Sequence, residues 1–153
     1  MEIERKYLVA RRPDLDRVER IEIEQGYLAL ADGGGAEVRL RRKADELLLT
    51  VKGGSGRTRV EEEIGLDPEP FESLWPLTEG RRVVKTRHLI SHGRHTIELD
   101  VYGGELEGLL VAEVEFPDQA NAEQFEAPDW FGEEVTGERR YLNETLATEG
   151  APR

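Results

Sequence analysis

Residues 97–101 read Ile-Glu-Leu-Asp-Val, and residues 112–116 read Ala-Glu-Val-Glu-Phe. In both stretches every second side chain is apolar and the side chains between them are acidic. Because successive side chains of a β-strand point to opposite sides of a sheet, this alternation predicts two strands, each with one apolar and one charged face. The same rhythm recurs along the chain, so it decides the fold class, which is mainly β.

Eight strands are predicted from this rhythm, at residues 2–9, 19–30, 37–43, 47–53, 57–66, 83–91, 94–102 and 109–116. The spacers between most of them are short and rich in glycine, which favours antiparallel hairpins because a parallel crossover needs about a dozen residues. Three short helices are predicted at 67–77, 118–125 and 138–148. We therefore expect an α+β arrangement in which an eight-stranded antiparallel barrel carries a few flanking helices, since closure removes exposed strand edges.

Length and composition exclude several classes of protein. The chain has 153 residues, and we expect one domain over residues 1–148 with a frayed tail at 149–153. Its 33 acidic and 21 basic residues give a net charge of −12, which argues against a nucleic-acid binder. It has no cysteine and no apolar run of the roughly 18 residues that cross a membrane. Charged residues follow Met1 without an apolar signal segment, so a cytoplasmic location is predicted.

Charged residues share strand faces in a way that leaves two interpretations open. Carboxylates group on one face of several predicted strands, as in Glu98 with Asp100, and cations group in the same way, as in Arg39 with Arg41. A solvated outer face is the ordinary explanation. Like charges are usually interspersed on such surfaces, however, because they repel. If the charged face points inward, its cations suit phosphate oxygens and its carboxylates suit Mg²⁺ or Mn²⁺.

Several short blocks, in order along the chain, resemble one family. They are Glu2-x-Glu4-x-Lys6, Gln25-Gly26-Tyr27-Leu28, Val38-Arg39-Leu40-Arg41, Leu49-Thr50-Val51-Lys52, Glu61-x-Glu63, Arg82 to Arg87, Glu98-Leu99-Asp100, Ala112 to Phe116, and Val135-Thr136-Gly137 with Tyr141 and Asn143. This series resembles the CYTH superfamily, also called the triphosphate tunnel metalloenzymes. The resemblance implies an eight-stranded barrel whose charged lumen takes a triphosphate group.

The resemblance also implies roles for individual residues. The implied metal ligands are Glu2, Glu4, Asp100, Glu113 and Glu115, with Glu61, Glu63 and Glu98 as supporting or alternative ligands. The implied phosphate-binding residues are Lys6, Arg39, Arg41, Lys52, Lys85 and Arg87. Tyr27, paired with Lys52, would activate water, and a nearby lysine would lower the pKa of the tyrosine.

Tyr27 does not fit the alternation of its own strand. It shares parity with Ile21 and Ile23, so the pattern predicts that it points away from the charged face. A bulge at Gly26 would re-aim its side chain. Without such a bulge, Tyr27 is expected to be a packing residue.

The expected function is metal-dependent hydrolysis of inorganic triphosphate to pyrophosphate and phosphate, with Mg²⁺ or Mn²⁺ as cofactor. Within the same fold, a thiamine triphosphatase or a class IV-type adenylyl cyclase is the alternative. A non-catalytic module that binds polyphosphate or nucleotides is the alternative from another class. The expected partner is a small-molecule triphosphate, with neither nucleic acid nor membrane, and the chain is expected to be a monomer or homodimer.

Overall fold

The computed structural model describes residues 3–31, 35–53 and 60–152. Within these residues, nine antiparallel strands form one sheet in the order β5-β4-β3-β2-β6-β7-β8-β1-β9. The strands are β1 Ile3–Val9, β2 Glu19–Ala29, β3 Glu37–Lys43, β4 Glu46–Gly53, β5 Val60–Gly65, β6 Arg82–His92, β7 His95–Tyr102, β8 Leu110–Phe116 and β9 Phe131–Glu134. The helices are α1 Pro68–Leu74, α2 Gln119–Gln124 and α3 Asn143–Glu149. None of the described helices is long and apolar enough to cross a bilayer.

The eight strands predicted from alternation are all present, and their ends agree to within a few residues where both lie in the described part of the chain. The ninth strand, β9, is not predicted because it is four residues long and contains Gly132. That glycine lets β9 approach β1 closely: a Cβ built on it would lie 3.3 Å from the carbonyl oxygen of Leu8. The missing side chain therefore explains both the pairing and the weak sequence signal.

The sheet is open rather than closed into the expected barrel. Its edges are β5 and β9, and no pairing joins them within the described residues. Every residue of β5 is exposed, including the run Glu61, Glu62 and Glu63. Three consecutive carboxylates oppose the pairing of this edge with another strand, which is a common way to keep a sheet edge free.

The apolar face of β1, β7 and β8 is covered on its outer side. Its cluster of buried residues comprises Tyr7, Ile97, Leu99, Ala112, Val114, Phe116, Ala122 and Phe131. Phe125, which follows α2, packs its ring against Tyr7, Phe116 and Phe131 at centroid distances of 6.3, 5.2 and 6.1 Å. The alternating apolar residues of β1, β7 and β8 thus find their partners in Ala122 of α2, in Phe125 and in Phe131 of β9.

Helix α1 and the 3₁₀ turn Trp75–Thr78 pack on the outer side of β2 and β3. Phe71 is fully buried there and stacks on Trp75 with ring centroids 5.5 Å apart. The guanidinium of Arg42 lies 5.0 Å from the Phe71 ring and pairs with Glu72 at 2.9 Å. Arg42 therefore belongs to the outer surface, although its neighbour Arg41 faces the other way.

Helix α3 packs on the opposite side of the sheet, the side that carries the charged residues. Leu146 of α3 forms a small cluster with Val83, Tyr102, Leu106 and Val111. The helix contacts β6 and β2, and the 3₁₀ turn Arg139–Tyr141 leads into it. One part of the charged side is therefore covered by the C-terminal segment of the chain itself.

Candidate active site

Strand pairing brings the charged residues of seven strands onto one side of the sheet, called the charged face from here on. Directly paired residues of antiparallel strands point the same way. The pairs Glu4–Glu115, Lys6–Glu113, Glu98–Glu113, Arg87–Asp100, Arg39–Thr50, Lys52–Glu37, Lys52–Glu61 and Thr50–Glu63 therefore lie on the charged face. Fourteen charged residues are predicted for the site, and the thirteen of them that the structure describes all belong to this face. Glu2 lies outside the described residues.

Much of the charged face is buried, which decides between the two interpretations of the sequence pattern. Lys6 is 9% exposed, Arg39 9%, Asp100 3% and Lys85 1%. Solvated strand faces do not bury charges to this extent, because an ion removed from water must be compensated. The charged face is therefore an interior surface around its centre.

Tyr27 lies on the charged face, and the expectation that it points away is wrong. Gln25 pairs with Arg41, and Tyr27 pairs with Arg39, without interruption at Gly26. The bulge that was considered at Gly26 is absent; the register shifts only between Tyr27 and Ala29. On β2 the apolar residues Ile21 and Ile23 share the charged face, opposite Arg87 and Lys85. The prediction from alternation was wrong here because β2 places both apolar and polar residues on the charged face.

Four carboxylates gather where β1, β8 and β7 meet. Glu113 is the cross-strand neighbour of both Lys6 and Glu98, and Glu4 is opposite Glu115. Burial, together with the adjacent Glu113, raises the pKa of Glu4 to about 7. The ammonium of Lys6 lies 3.7 Å from Glu113 and donates a hydrogen bond to the Tyr141 carbonyl. Carboxylates crowded in this way favour a bound proton or cation.

This donor set fits a hard divalent cation, which prefers oxygen ligands. Among the described residues no ready cluster of three acidic or histidine side chains is assembled around one point. The carboxyl groups of Glu4 and Glu113 nevertheless share a hydrogen bond on the charged face, and Glu115 lies opposite Glu4. The chemistry of these residues therefore suits a metal ion.

Asp100 is held by cations. Arg87 donates two hydrogen bonds to its carboxylate, at 2.9 and 3.1 Å, and the ammonium of Lys85 lies 2.8 Å away. Burial opposes ionisation, but Lys85 and Arg87 outweigh it and keep the pKa of Asp100 below its usual value. Both oxygens of Asp100 therefore position cations in this arrangement. Arg87 also pairs with Glu98 at 2.8 Å.

Strand β3 places two guanidinium groups on the charged face, those of Arg39 and Arg41. The Nε of Arg39 is buried without a hydrogen-bond partner in the described chain, as is the hydroxyl of Thr50 opposite it. Burial, Arg39 and Arg87 lower the pKa of Arg41 to about 10. Cations that are buried close to one another and left partly unpaired are costly, and an anion between them would relieve that cost.

Lys52, Glu61 and Glu63 lie toward the open edge of the sheet. The ammonium of Lys52 is 3.8 Å from Glu61, which is exposed, as is Glu63. Lys52 makes neither a hydrogen bond nor an ion pair with Tyr27 among the described residues. Burial raises the pKa of Tyr27 to about 12, and its cationic neighbour is Arg39. The expectation that a lysine lowers the pKa of this tyrosine is therefore wrong.

Three further polar residues line the charged face without having been assigned to the site from the sequence. Gln25 donates a hydrogen bond to the Tyr27 hydroxyl oxygen at 3.0 Å and accepts one from Arg41 at 3.2 Å. Asn143 accepts hydrogen bonds from Tyr102 at 2.7 Å and Lys85 at 3.4 Å. The parity of Tyr102 with Asp100 was a usable signal for Tyr102. Asn143 is distant in sequence from its partners, so alternation carried no signal for it.

The fold and this face define a family. The chain belongs to the CYTH domain family, whose model matches residues 1–150.

Particular relatives extend over nearly the whole chain. An inorganic triphosphatase of Nitrosomonas europaea is 46% identical over 148 residues, which are 95% of this chain and 96% of that protein. An inorganic triphosphatase of Acetivibrio thermocellus is 40% identical over 147 residues, 95% of this chain and 92% of that protein. A crystal structure of an inorganic triphosphatase matches with a TM-score of 0.80 and 43% identity, covering 98% of this chain and 99% of that one.

Proposed function

We propose that this protein hydrolyses inorganic triphosphate to pyrophosphate and phosphate with the help of Mg²⁺ or Mn²⁺. The observation that carries the proposal is that one side of the sheet holds both a buried guanidinium with an unpaired Nε, that of Arg39, and a crowded pair of carboxyl groups, Glu4 and Glu113. Phosphoryl transfer depends mainly on positioning and on stabilising negative charge, and this face offers both. Two relatives that match 95% of this chain and are named inorganic triphosphatases support the same conclusion.

The cations would hold the phosphate chain. In this proposal Arg39 and Arg41 bind phosphate oxygens, since guanidinium groups do so in a bidentate manner. Arg87, whose three nitrogens already contact Asp100 and Glu98, would add its charge and its remaining N–H groups. Three lysines on the same face add to this positive charge. They are Lys6, Lys52 and Lys85.

The segment that leads into α3 favours an unsubstituted phosphate chain. Asn143 contacts Lys85, and the Tyr141 carbonyl accepts a hydrogen bond from Lys6. These contacts occupy one part of the charged face with the protein's own atoms. Less space remains there for the thiamine or adenine group of the alternative substrates, which is why we prefer inorganic triphosphate.

The metal ion would be held by Glu4, Glu113 and Glu115, together with Glu2. A divalent ion bound there would neutralise phosphate charge and favour ionisation of a water molecule. Glu98 and Asp100 act in the proposal mainly through Arg87, with which both are paired. Glu61 and Glu63 lie at the exposed edge, and they would support the metal only if that edge approached the substrate.

The reaction consumes one water molecule: its oxygen forms a bond to a terminal phosphorus, and the bond from that phosphorus to the bridging oxygen breaks. Tyr27 is protonated near neutral pH, because burial raises its pKa to about 12. It would therefore donate a hydrogen bond to a phosphate oxygen or the attacking water near neutrality and would serve as a base under alkaline conditions. We further infer that the enzyme acts in the cytoplasm, as a monomer or homodimer, on a small molecule.

Phosphate release from inorganic triphosphate, thiamine triphosphate and ATP, each with Mg²⁺, with Mn²⁺ and with a chelator, tests the proposal. We expect metal-dependent release that is fastest with inorganic triphosphate. The variant Arg41→Ala should lose about tenfold to a thousandfold in kcat/KM, as is usual when an electrostatic stabiliser is removed.

The neighbouring variant Arg42→Ala is the matched control, because Arg42 faces the outer surface and pairs with Glu24 and Glu72. It should keep its rate even if it is less stable. Cyclic AMP formation from ATP would instead favour the cyclase, and tight triphosphate binding without turnover in either metal would favour the binding module.

A further inference from the structure

Gln25 is an uncharged residue in the middle of the charged face, and it is completely buried. Both ends of its side-chain amide are used. The carbonyl oxygen accepts a hydrogen bond from the Nε of Arg41 at 3.2 Å, and the amide nitrogen donates one to the hydroxyl oxygen of Tyr27 at 3.0 Å. Gln25 therefore connects a phosphate-binding candidate on β3 with the tyrosine on its own strand.

The direction of this chain of hydrogen bonds follows from the chemistry of its members. The Nε of an arginine can only donate, so the amide oxygen of Gln25 has to face Arg41. The amide nitrogen must then face Tyr27, and because that nitrogen can only donate, the tyrosine oxygen must accept. The hydroxyl proton of Tyr27 is consequently free to be directed elsewhere than Gln25.

We propose that Gln25 is a positioning residue, which fixes the Tyr27 hydroxyl as a hydrogen-bond donor toward the substrate and couples its placement to that of Arg41. This inference rests on the proposed function, since the substrate is the triphosphate that Arg41 would bind. Arg41 uses its Nε for Gln25, which leaves its two terminal nitrogens for phosphate oxygens. Binding of phosphate at Arg41 thereby tightens the geometry at Tyr27.

The surroundings of Tyr27 are consistent with this role. Strand β3 contributes Glu37, Arg39 and Arg41 to these surroundings, and β7 contributes Tyr102. Among the described residues, Gln25 is the side chain that makes hydrogen bonds to both Arg41 and Tyr27. The hydrogen bonds from Gln25 and Arg39 favour the phenolate, whereas burial and Glu37 disfavour it.

Two substitutions separate the two ends of the amide. Gln25→Glu keeps the acceptor for Arg41 but cannot donate to Tyr27, so the tyrosine proton would turn toward the new carboxylate and away from the substrate. We expect kcat for triphosphate to fall about tenfold with little change in KM, a loss of the size expected for one hydrogen bond. Gln25→Met has a similar size and removes both contacts, so KM should rise as well.

The same substitutions in a Tyr27→Phe background identify the route of the effect. If Gln25 acts through Tyr27, Gln25→Glu should cause no further loss of kcat when the hydroxyl is already absent. Equal losses in both backgrounds would show an effect on folding or packing alone and would overturn the proposal.

A readout without turnover keeps this inference distinct from the proposed function. In protein labelled with ¹³C at the tyrosine ring carbon that carries the hydroxyl, the resonance of Tyr27 is assigned by its loss in Tyr27→Phe. Gln25→Met should shift that resonance in the metal-free protein, and an unchanged resonance would contradict the contact. If the unsubstituted enzyme failed to hydrolyse triphosphate while this shift was seen, the proposed function would fail and the hydrogen-bond chain would stand.

Discussion

Arg39 places its guanidinium on the charged face with the Nε buried and without a hydrogen-bond partner in the described chain. An unpaired polar atom of a buried cation weakens the folded state, because the hydration that it loses is not replaced. The pairing of Tyr27 with Arg39 across the strands places this cation beside the tyrosine. Arg39 is therefore well suited to bind a ligand that accepts a hydrogen bond from its Nε.

Replacing Arg39 by methionine should therefore change stability and activity in opposite directions. Arg39→Met should raise the thermal midpoint of the metal-free protein, because the buried charge is removed while the side-chain volume is roughly kept. The kcat/KM for triphosphate should fall by about tenfold or more. Thermal unfolding and phosphate release measure the two effects.

The outer-face variant Arg42→Met serves as the control, since it removes two surface ion pairs and the contact with Phe71. It should lower the thermal midpoint and preserve the rate. An Arg39→Met variant that is both less stable and fully active would contradict the assignment of Arg39 to phosphate binding.

Alternation in the sequence predicts the strand face correctly for some site residues and wrongly for Tyr27. Charged partners on β7 and β8 could be assigned to one face because their neighbours at the other parity are all apolar. On β2 the residues of the charged face include Ile21 and Ile23, so hydrophobicity gave the wrong side for Tyr27. Only the pairing of Tyr27 with Arg39 fixes its direction, and pairing is not encoded by the strand's own pattern.

At the scale of elements, Gly26 sets the distance between β2 and the 3₁₀ turn that follows α1. A Cβ built on Gly26 would lie 2.4 Å from the hydroxyl oxygen and 2.5 Å from the Cβ of the buried Thr78. The glycine is therefore required by close packing on the outer side of the sheet, while Gln25 and Tyr27 on either side of it face inward.

Gly26→Ala should lower the free energy of unfolding by about 1–3 kcal/mol, the usual cost of overpacking. The comparison variant is Gly65→Ala in β5, where a new Cβ would meet nothing within 4 Å. Denaturant titration of both variants checks the prediction. A loss of similar size at the two positions would indicate a general effect of alanine in strands and not a clash with Thr78.

Glu144 of helix α3 and Glu37 of β3 form a second pair of neighbouring carboxyl groups. A hydrogen bond with Glu37, followed by burial, raises the pKa of Glu144 to about 7. Since the folded state holds this proton more tightly than the unfolded chain, the pair's contribution to stability is greatest at low pH. It is lost progressively as the pH rises from the ordinary value of 4.5 to about 7.

The variant Glu144→Gln should keep the hydrogen bond and remove its titration. The thermal midpoint of the variant minus that of the unsubstituted protein should therefore increase between about pH 5 and about pH 8. Subtracting the two proteins cancels groups such as Glu4 that titrate in both. A difference that is flat over this range, or that decreases, would contradict the pairing of Glu37 with Glu144.

The elements themselves were largely predictable, because eight strands alternate clearly and end at turn-forming residues. The helix expected at 138–148 is instead a 3₁₀ turn at Arg139–Tyr141 followed by α3. The two are separated by Leu142, whose backbone is extended. The position of α3 on the charged face could not be predicted, because it depends on the path of the chain after β9 and on its contacts with Val83 and Tyr102.

At the scale of the whole molecule, the sheet has two kinds of covering. The outer side of β1, β7 and β8 is closed by apolar packing with α2 and with Phe131 of β9, and the charged side is covered in part by α3. The remaining edge, β5, is exposed and acidic. The expected barrel is thus an open sheet. Its charged residues still lie on one side, where Lys85 and Asp100 are buried and Asp100 pairs with both Lys85 and Arg87.

The most direct test of the central claim is a crystal structure of the protein with Mn²⁺ and a non-hydrolysable triphosphate analogue, in which anomalous diffraction locates the metal. We predict Mn²⁺ beside Glu4 and Glu113, with phosphate oxygens within hydrogen-bonding distance of Arg39 and Arg41. An analogue bound on the outer surface near Arg42, or a metal ion away from the charged face, would contradict the account.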